Sequence, residues 1–280
     1  MGELGLSAFA VINNRTHKAF GETDLIVSAS VYEPCGALYR YHERIATIKP
    51  HCSLRVDCDA LLGEAKDRNG VNNLITFHLL PASISTDTRY SAVVDINRDI
   101  ALRLAFACDN YLEYRHQNGG RCGVLYQNLP LNSSPSFSRG SFILQSPKVY
   151  SSRNHSSVTI LYYPSPGDLP GAEKATIDLT LRALGGQIIK KWTLSLPPNK
   201  VKILPTGDYL SSFASIDGER YSLACLEGFS LSASIVPLSM IFERGFRSMA
   251  LEHSLPPSYY LKGDQSKFRK WILSNLSSLS

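Results

Sequence analysis

The chain has 280 residues, with 29 Lys and Arg against 24 Asp and Glu and a hydrophobic share of 44%. That apolar share excludes wholesale disorder, and the length suits one large domain or two of about 140 residues. No stretch approaches the roughly 18 to 20 apolar residues that cross a bilayer as a helix. The basic residues are too scattered for a phosphate-tracking surface, so a specific nucleic-acid partner is not expected.

Met1-Gly2-Glu3-Leu4-Gly5 has no basic n-region, and Asn13, Asn14 and Arg15 break the apolar run that follows. No signal peptide is read there, and a cytoplasmic location is expected. Cys35, Cys52, Cys58, Cys108, Cys122 and Cys225 contain no Cys-x-x-Cys pair, which predicts reduced, partly buried thiols.

Leu25 to Tyr32 is a β-branched run that stops at Glu33-Pro34-Cys35-Gly36, a strand entering a turn. Tyr39 to Arg44 interleaves aromatic and charged groups. Alternation places Arg40, His42 and Arg44 on one strand face, a cationic row suited to a carboxylate, a phosphate or an acidic partner. Ile100 to Phe106 alternates as a half-buried strand does. Leu112 to Arg115 turns through Gln117-Asn118-Gly119-Gly120 into a second strand that contains Tyr126. The polar, Pro-interrupted Asn132 to Ser138 reads as a linker.

Beyond it, Arg153-Asn154-His155 precedes the run Val158 to Tyr163, which ends at Pro164. Ala175 to Leu184 and Val201 to Leu204 are further strands. Two stretches match across the halves. Ile48-Lys49-Pro50, Leu54-Arg55-Val56 and Asp59-Ala60-Leu61 parallel Leu196-Pro197-Pro198, Val201-Lys202-Ile203 and Asp208-Tyr209-Leu210. The hairpin over 112–130 likewise parallels Met240 to Pro256. Two matches in the same order point to an internal duplication. Asp264 can cap a helix with Phe268, Trp271, Ile272, Leu276 and Leu279 on one face and Lys267, Arg269 and Lys270 on the other.

The sequence therefore predicts an all-β chain of two tandem β-sandwich units of similar topology, 1–133 and 134–263, closed by a C-terminal amphipathic helix over 264–280. No Walker loop, Gly-x-Gly-x-x-Gly, Gly-x-Ser-x-Gly or His-Glu-x-x-His motif is present, and no particular cofactor is implied. The candidate ligand-binding residues are His253 and Glu252 at a strand end, Tyr259 just after it, Tyr126 at the matching place in the first half, His155, Arg40 and His42. The preferred expectation is a non-catalytic binding or assembly protein that contacts a protein or small ligand through the sandwich rims or the groove between units. The C-terminal helix is expected to pack on its own domain, with a partner or homo-oligomer contact and then a membrane surface as the alternatives. One alternative is a metal-dependent or acid/base enzyme with a site between the halves near His253 and His155. The other is a self-assembling coat or shell subunit.

Overall fold

The computed structural model describes residues 4–14, 24–63, 73–82, 109–127, 141–163, 174–210, 221–230 and 235–253. The expected strand over 100–106, the linker over 132–138, Tyr259 and the 264–280 helix lie outside the described residues.

The alternating and β-branched runs form strands. In chain order they are β1 (Leu6–Asn13), β2 (Leu25–Tyr32), β3 (Leu38–Ile48), β4 (Ser53–Asp57), β5 (Leu74–Pro81), β6 (Asp109–His116) and β7 (Arg121–Gln127). A second series follows: β8 (Ser141–Ser152), β9 (His155–Tyr163), β10 (Ala175–Ala183), β11 (Ile188–Leu196), β12 (Lys200–Leu204), β13 (Tyr221–Ser230), β14 (Val236–Glu243) and β15 (Met249–His253). One short helix, α1 (Cys58–Leu62), follows β4, and the Asp57 carboxylate caps it by accepting from the backbone N–H of Asp59 and Ala60. The chain is all-β, in antiparallel sheets. No helix among the described residues is long and apolar enough to cross a membrane.

Among the described residues four sheets result, in strand orders β4-β1-β6-β7, β3-β2-β5, β12-β9-β14-β15 and β11-β10-β13-β8. The first and third have the same order, and so do the second and fourth once β8 is set aside. Turns recur with them. Gly36 N–H donates to Glu33 O and Glu33 N–H to Ala37 O, while Gly186 N–H donates to Ala183 O and Ala183 N–H to Gln187 O. Gly36 and Gly186 take φ of 91° and 88°, the left-handed geometry that both tight turns need. Before β4 and β12, His51 and Asn199 sit at φ of 61° and 57°, with their N–H groups on Asn14 O and Tyr163 O.

Three apolar clusters fill the spaces between sheets. Ala10, Ile12, Leu25, Val27, Ile48 and Val56 form the core between the first two sheets. Leu161 and Tyr163 of β9, with Leu204, pack on Ile177, Leu179, Leu181 and Leu226 of the fourth sheet. The third cluster joins the two series: Leu6, Tyr114, Cys122 and Val124 meet Val158, Ile160, Leu238, Met240 and Leu251. The β12-β9-β14-β15 sheet is therefore covered on both faces, and β9 is buried at Ser156 through Leu161 without alternation, as a doubly covered strand must be.

β8 accounts for the asymmetry between the series. It extends the fourth sheet past β13 and lies against β9 and β14. Among the described residues no strand pairs outside β5, and the inner faces of β6 and β7 are covered by the third sheet instead.

Candidate functional site

The residues singled out from sequence fall at three separate places. Arg40 and His42 lie on β3, where the pairing to β2 shifts between Val27 and Ala29. That bulge sets Glu43, Arg44 and Ile45 opposite Ser28 alone and interrupts the expected alternation. Arg40 and Arg44 are exposed, whereas His42 is half-buried with Nε2 3.2 Å from the Leu61 carbonyl of α1.

His155 opens β9 opposite Glu243, and His253 closes β15 opposite Leu238, whose other neighbour is Ile160. Five residues of strand and two strand spacings thus separate the histidines, roughly 20 Å at the usual strand rise and spacing. His155 is bound locally. Its N–H donates to Ser152 Oγ at 3.1 Å, Nδ1 is 3.5 Å from the same oxygen, and its ring stands edge-on to Tyr150. The Arg247 guanidinium holds the Glu243 carboxyl below the usual carboxylate range, and His155 acts in the same direction. Glu252 is exposed opposite Ser239, and Tyr126 pairs with Asn110 near the end of β7. Among the described residues no three His, Cys, Asp or Glu side chains come together as a metal would require.

Two constellations that the sequence reading did not assemble, although it noted the tyrosines of the 111–126 hairpin, are more developed. The first is a clasp between the β6–β7 and β14–β15 hairpins. The Phe246 ring stacks on Phe242 at 4.5 Å and on His116 at 4.6 Å. Gly120 N–H donates to Phe246 O, and Asn118 Nδ2 donates to Gly245 O, both at 2.9 Å. Beneath it, Tyr114 and Tyr162 share a hydrogen bond between hydroxyls at 2.8 Å. Burial pushes the Tyr162 phenol up to about 12 and the Tyr114 phenol well above its ordinary value.

The second lies on the outer face of the β4-β1-β6-β7 sheet. Arg55 stands 3.8 Å above the Phe9 ring centroid and Arg115 is 4.9 Å from it. Arg115 Nε is hydrogen-bonded to Glu113, and Arg55 is 3.8 Å from the same carboxylate. Arg121 is paired across the ladder with Arg115. The hydroxyl end of the Tyr111 ring lies over Gly123, where a Cβ would collide with it, and Tyr111 is 37% exposed. The arginines, led by the Arg115 hydrogen bond, hold the Glu113 carboxyl below the usual range. No local pattern marks this face, because its members come from four strands and meet only through register.

No protein-family model matches the chain, and neither does any curated protein. Among solved structures, the crystal structure of Thermotoga maritima 1070 matches 45% of this chain and 97% of that one, at 15% identity and a TM-score of 0.27. The structure of the infectious bursal disease virus Gx strain matches 84% of this chain and 55% of that one, at 6% identity and a TM-score of 0.16. The VP2 subviral particle of infectious bursal disease virus matches 90% of this chain and 62% of that one, at 10% identity and a TM-score of 0.14. Likenesses this slight carry no argument about fold or function.

Proposed function

We propose that the chain is a non-catalytic binding or assembly protein built from two β-sandwich units of duplicated topology, 1–133 and 134–263, which act as one rigid body. The repeated strand orders and turn hydrogen bonds support the duplication. The observation that carries the functional reading is the inter-unit cluster. Val158, Ile160, Leu238 and Met240 of one series are packed against Leu6, Tyr114, Cys122 and Val124 of the other, with the hairpin clasp along one end. An apolar seal of this kind fixes two units at a set distance, which favours presentation of outer surfaces and rims over opening and closing around a substrate.

Native mass spectrometry of the purified chain, before and after denaturation, with light scattering across concentration, tests the reading. A bound species released unchanged, or a dimer or larger assembly, supports it. Chemical conversion of a bound compound, abolished by His155→Ala or His253→Ala, would overturn it in favour of an enzyme.

A further inference from the structure

We propose that the outer face of the β4-β1-β6-β7 sheet docks an acidic segment of a partner protein. This deepens the reading of the chain as a binding protein and rests on it.

The comparison between the two series carries the proposal. In each, one face of the four-stranded sheet looks onto that unit's own core, through Ala10 and Ile12 in the first and Leu161 and Tyr163 in the second. The opposite face of the second series is apolar, with Val158 and Ile160 on β9, Leu238 and Met240 on β14, and Val201 and Ile203 on β12. That face is spent on a protein interface, since it packs on the first series. The corresponding face of the first series carries Phe9 and Val11 on β1, Tyr111, Glu113 and Arg115 on β6, Arg55 on β4 and Arg121 on β7. A sheet face that needed only to stay in water has no use for arginines placed over a ring or for a tyrosine whose hydroxyl end fills the space above a glycine. Both devices hold large side chains in place before any partner arrives, which lowers the ordering cost of binding.

Charge selects the partner. Three arginines face two carboxylates, of which Asp57 is spent on capping α1 and Glu113 on Arg115. Arg55 and Arg115 lie against Phe9 and still have guanidinium N–H donors beyond their contacts to Glu113, and Arg121 is exposed. A guanidinium fork matches a carboxylate in a bidentate way, and Tyr111 supplies the amphipathic anchor common at protein interfaces. A peptide carrying Asp or Glu on alternate residues would present its carboxylates at the spacing of strand positions.

The test is fluorescence anisotropy of a labelled twelve-residue oligoglutamate against the full chain at low salt, with labelled dT12 as comparator. Three proteins are used: the wild type, R55E/R121E, and K190E/K191E as an equal change of charge on β11, away from this face. We expect R55E/R121E to weaken oligoglutamate binding at least tenfold and K190E/K191E to leave it within about twofold. Circular dichroism confirms folding, and Arg121→Glu alone replaces the double variant if that unfolds. No binding by the wild type, or equal loss in both charge variants, overturns the assignment. So does tighter binding of dT12 that is lost with R55E/R121E, which would make the face a single-strand nucleic-acid surface. Failure here leaves the binding reading standing if native mass spectrometry shows another bound species, so the two fail separately.

Discussion

Cys58 and Cys122 are both buried against the seams of the structure, and burial pushes each thiol up to about 12. Asp59 and Asp57 add to the shift at Cys58, and Glu113 adds to it at Cys122. A thiol that resists ionisation by about three pH units presents roughly a thousandfold less thiolate to an electrophile. Cys35 and Cys52 are exposed. Brief iodoacetamide treatment at pH 8, read by peptide mass spectrometry, is therefore expected to label Cys35 and Cys52 and to spare Cys58 and Cys122 until denaturant is added. Labelling of Cys58 at the rate of Cys35 in folded protein would contradict this packing. The sign of the pH effect follows. An acid whose folded pKa lies above its unfolded value contributes stability that is complete below about pH 8.5. That contribution is lost as the pH rises toward 12, so alkaline unfolding is expected to be steeper than in a Cys58→Ser, Cys122→Ser variant compared at its own midpoint.

Gly120 occupies the seam between hairpins, and its N–H reaches Phe246 O while a Cβ there would strike that same carbonyl oxygen. Backbone cannot swing aside as a side-chain end can. Gly120→Ala is expected to cost about 2–3 kcal/mol by urea titration, the range for overpacking combined with a lost buried hydrogen bond. Gly185, in the β10–β11 turn, has open space where a Cβ would go, so Gly185→Ala is expected to change stability by less than about 0.5 kcal/mol. Equal effects would mean that the clasp does not form. The contrast bears on what the sequence could reveal. Strands such as Leu25–Tyr32 and Ala175–Ala183 are legible because β-branched runs, alternation and turn residues are local signals. The clasp joins Gly120 to Phe246 and Asn118 to Gly245, contacts that leave no local periodicity. The offset read from sequence between the two strand series differs by one residue from the offset that their recurring turns give. Aligning Leu54-Arg55-Val56 with Val201-Lys202-Ile203 sets Val56 beside Ile203, whereas the shared turn at His51 and Asn199 sets it beside Leu204. Val56 and Leu204 each belong to the apolar cluster within their own series, and a single step of register moves a strand residue to the other face. In the same way, the bulge in β3 sets Arg44 apart from Arg40 and His42, whose partners Val31 and Ala29 keep those two on one face.

At the scale of the molecule, the apolar cluster shared by the two strand series is expected to make them unfold together. The cluster that joins the two series combines apolar packing with a polar contact, the Tyr114–Tyr162 hydroxyl pair. The apolar side chains provide attraction without direction. The hydroxyl pair provides direction, because either oxygen left alone in that cluster loses its partner without regaining water. Tyr114→Phe and Tyr162→Phe are each expected to cost about 1–3 kcal/mol, since each strands the other hydroxyl. The double variant removes both polar groups and leaves two rings that still fill the space, so it is expected to be more stable than the sum of the single losses by about 1 kcal/mol or more. Additive losses would mean that the two hydroxyls do not meet. Calorimetry supplies the second readout. If the cluster couples the series, the wild type is expected to melt in one transition whose van't Hoff and calorimetric enthalpies agree. Gly120→Ala combined with Met240→Ala, which opens the clasp and the inter-unit core together, is then expected to split that transition into two. A wild type that already melts in two steps would show that the interface, despite its apolar character, is weaker than the cores on either side of it.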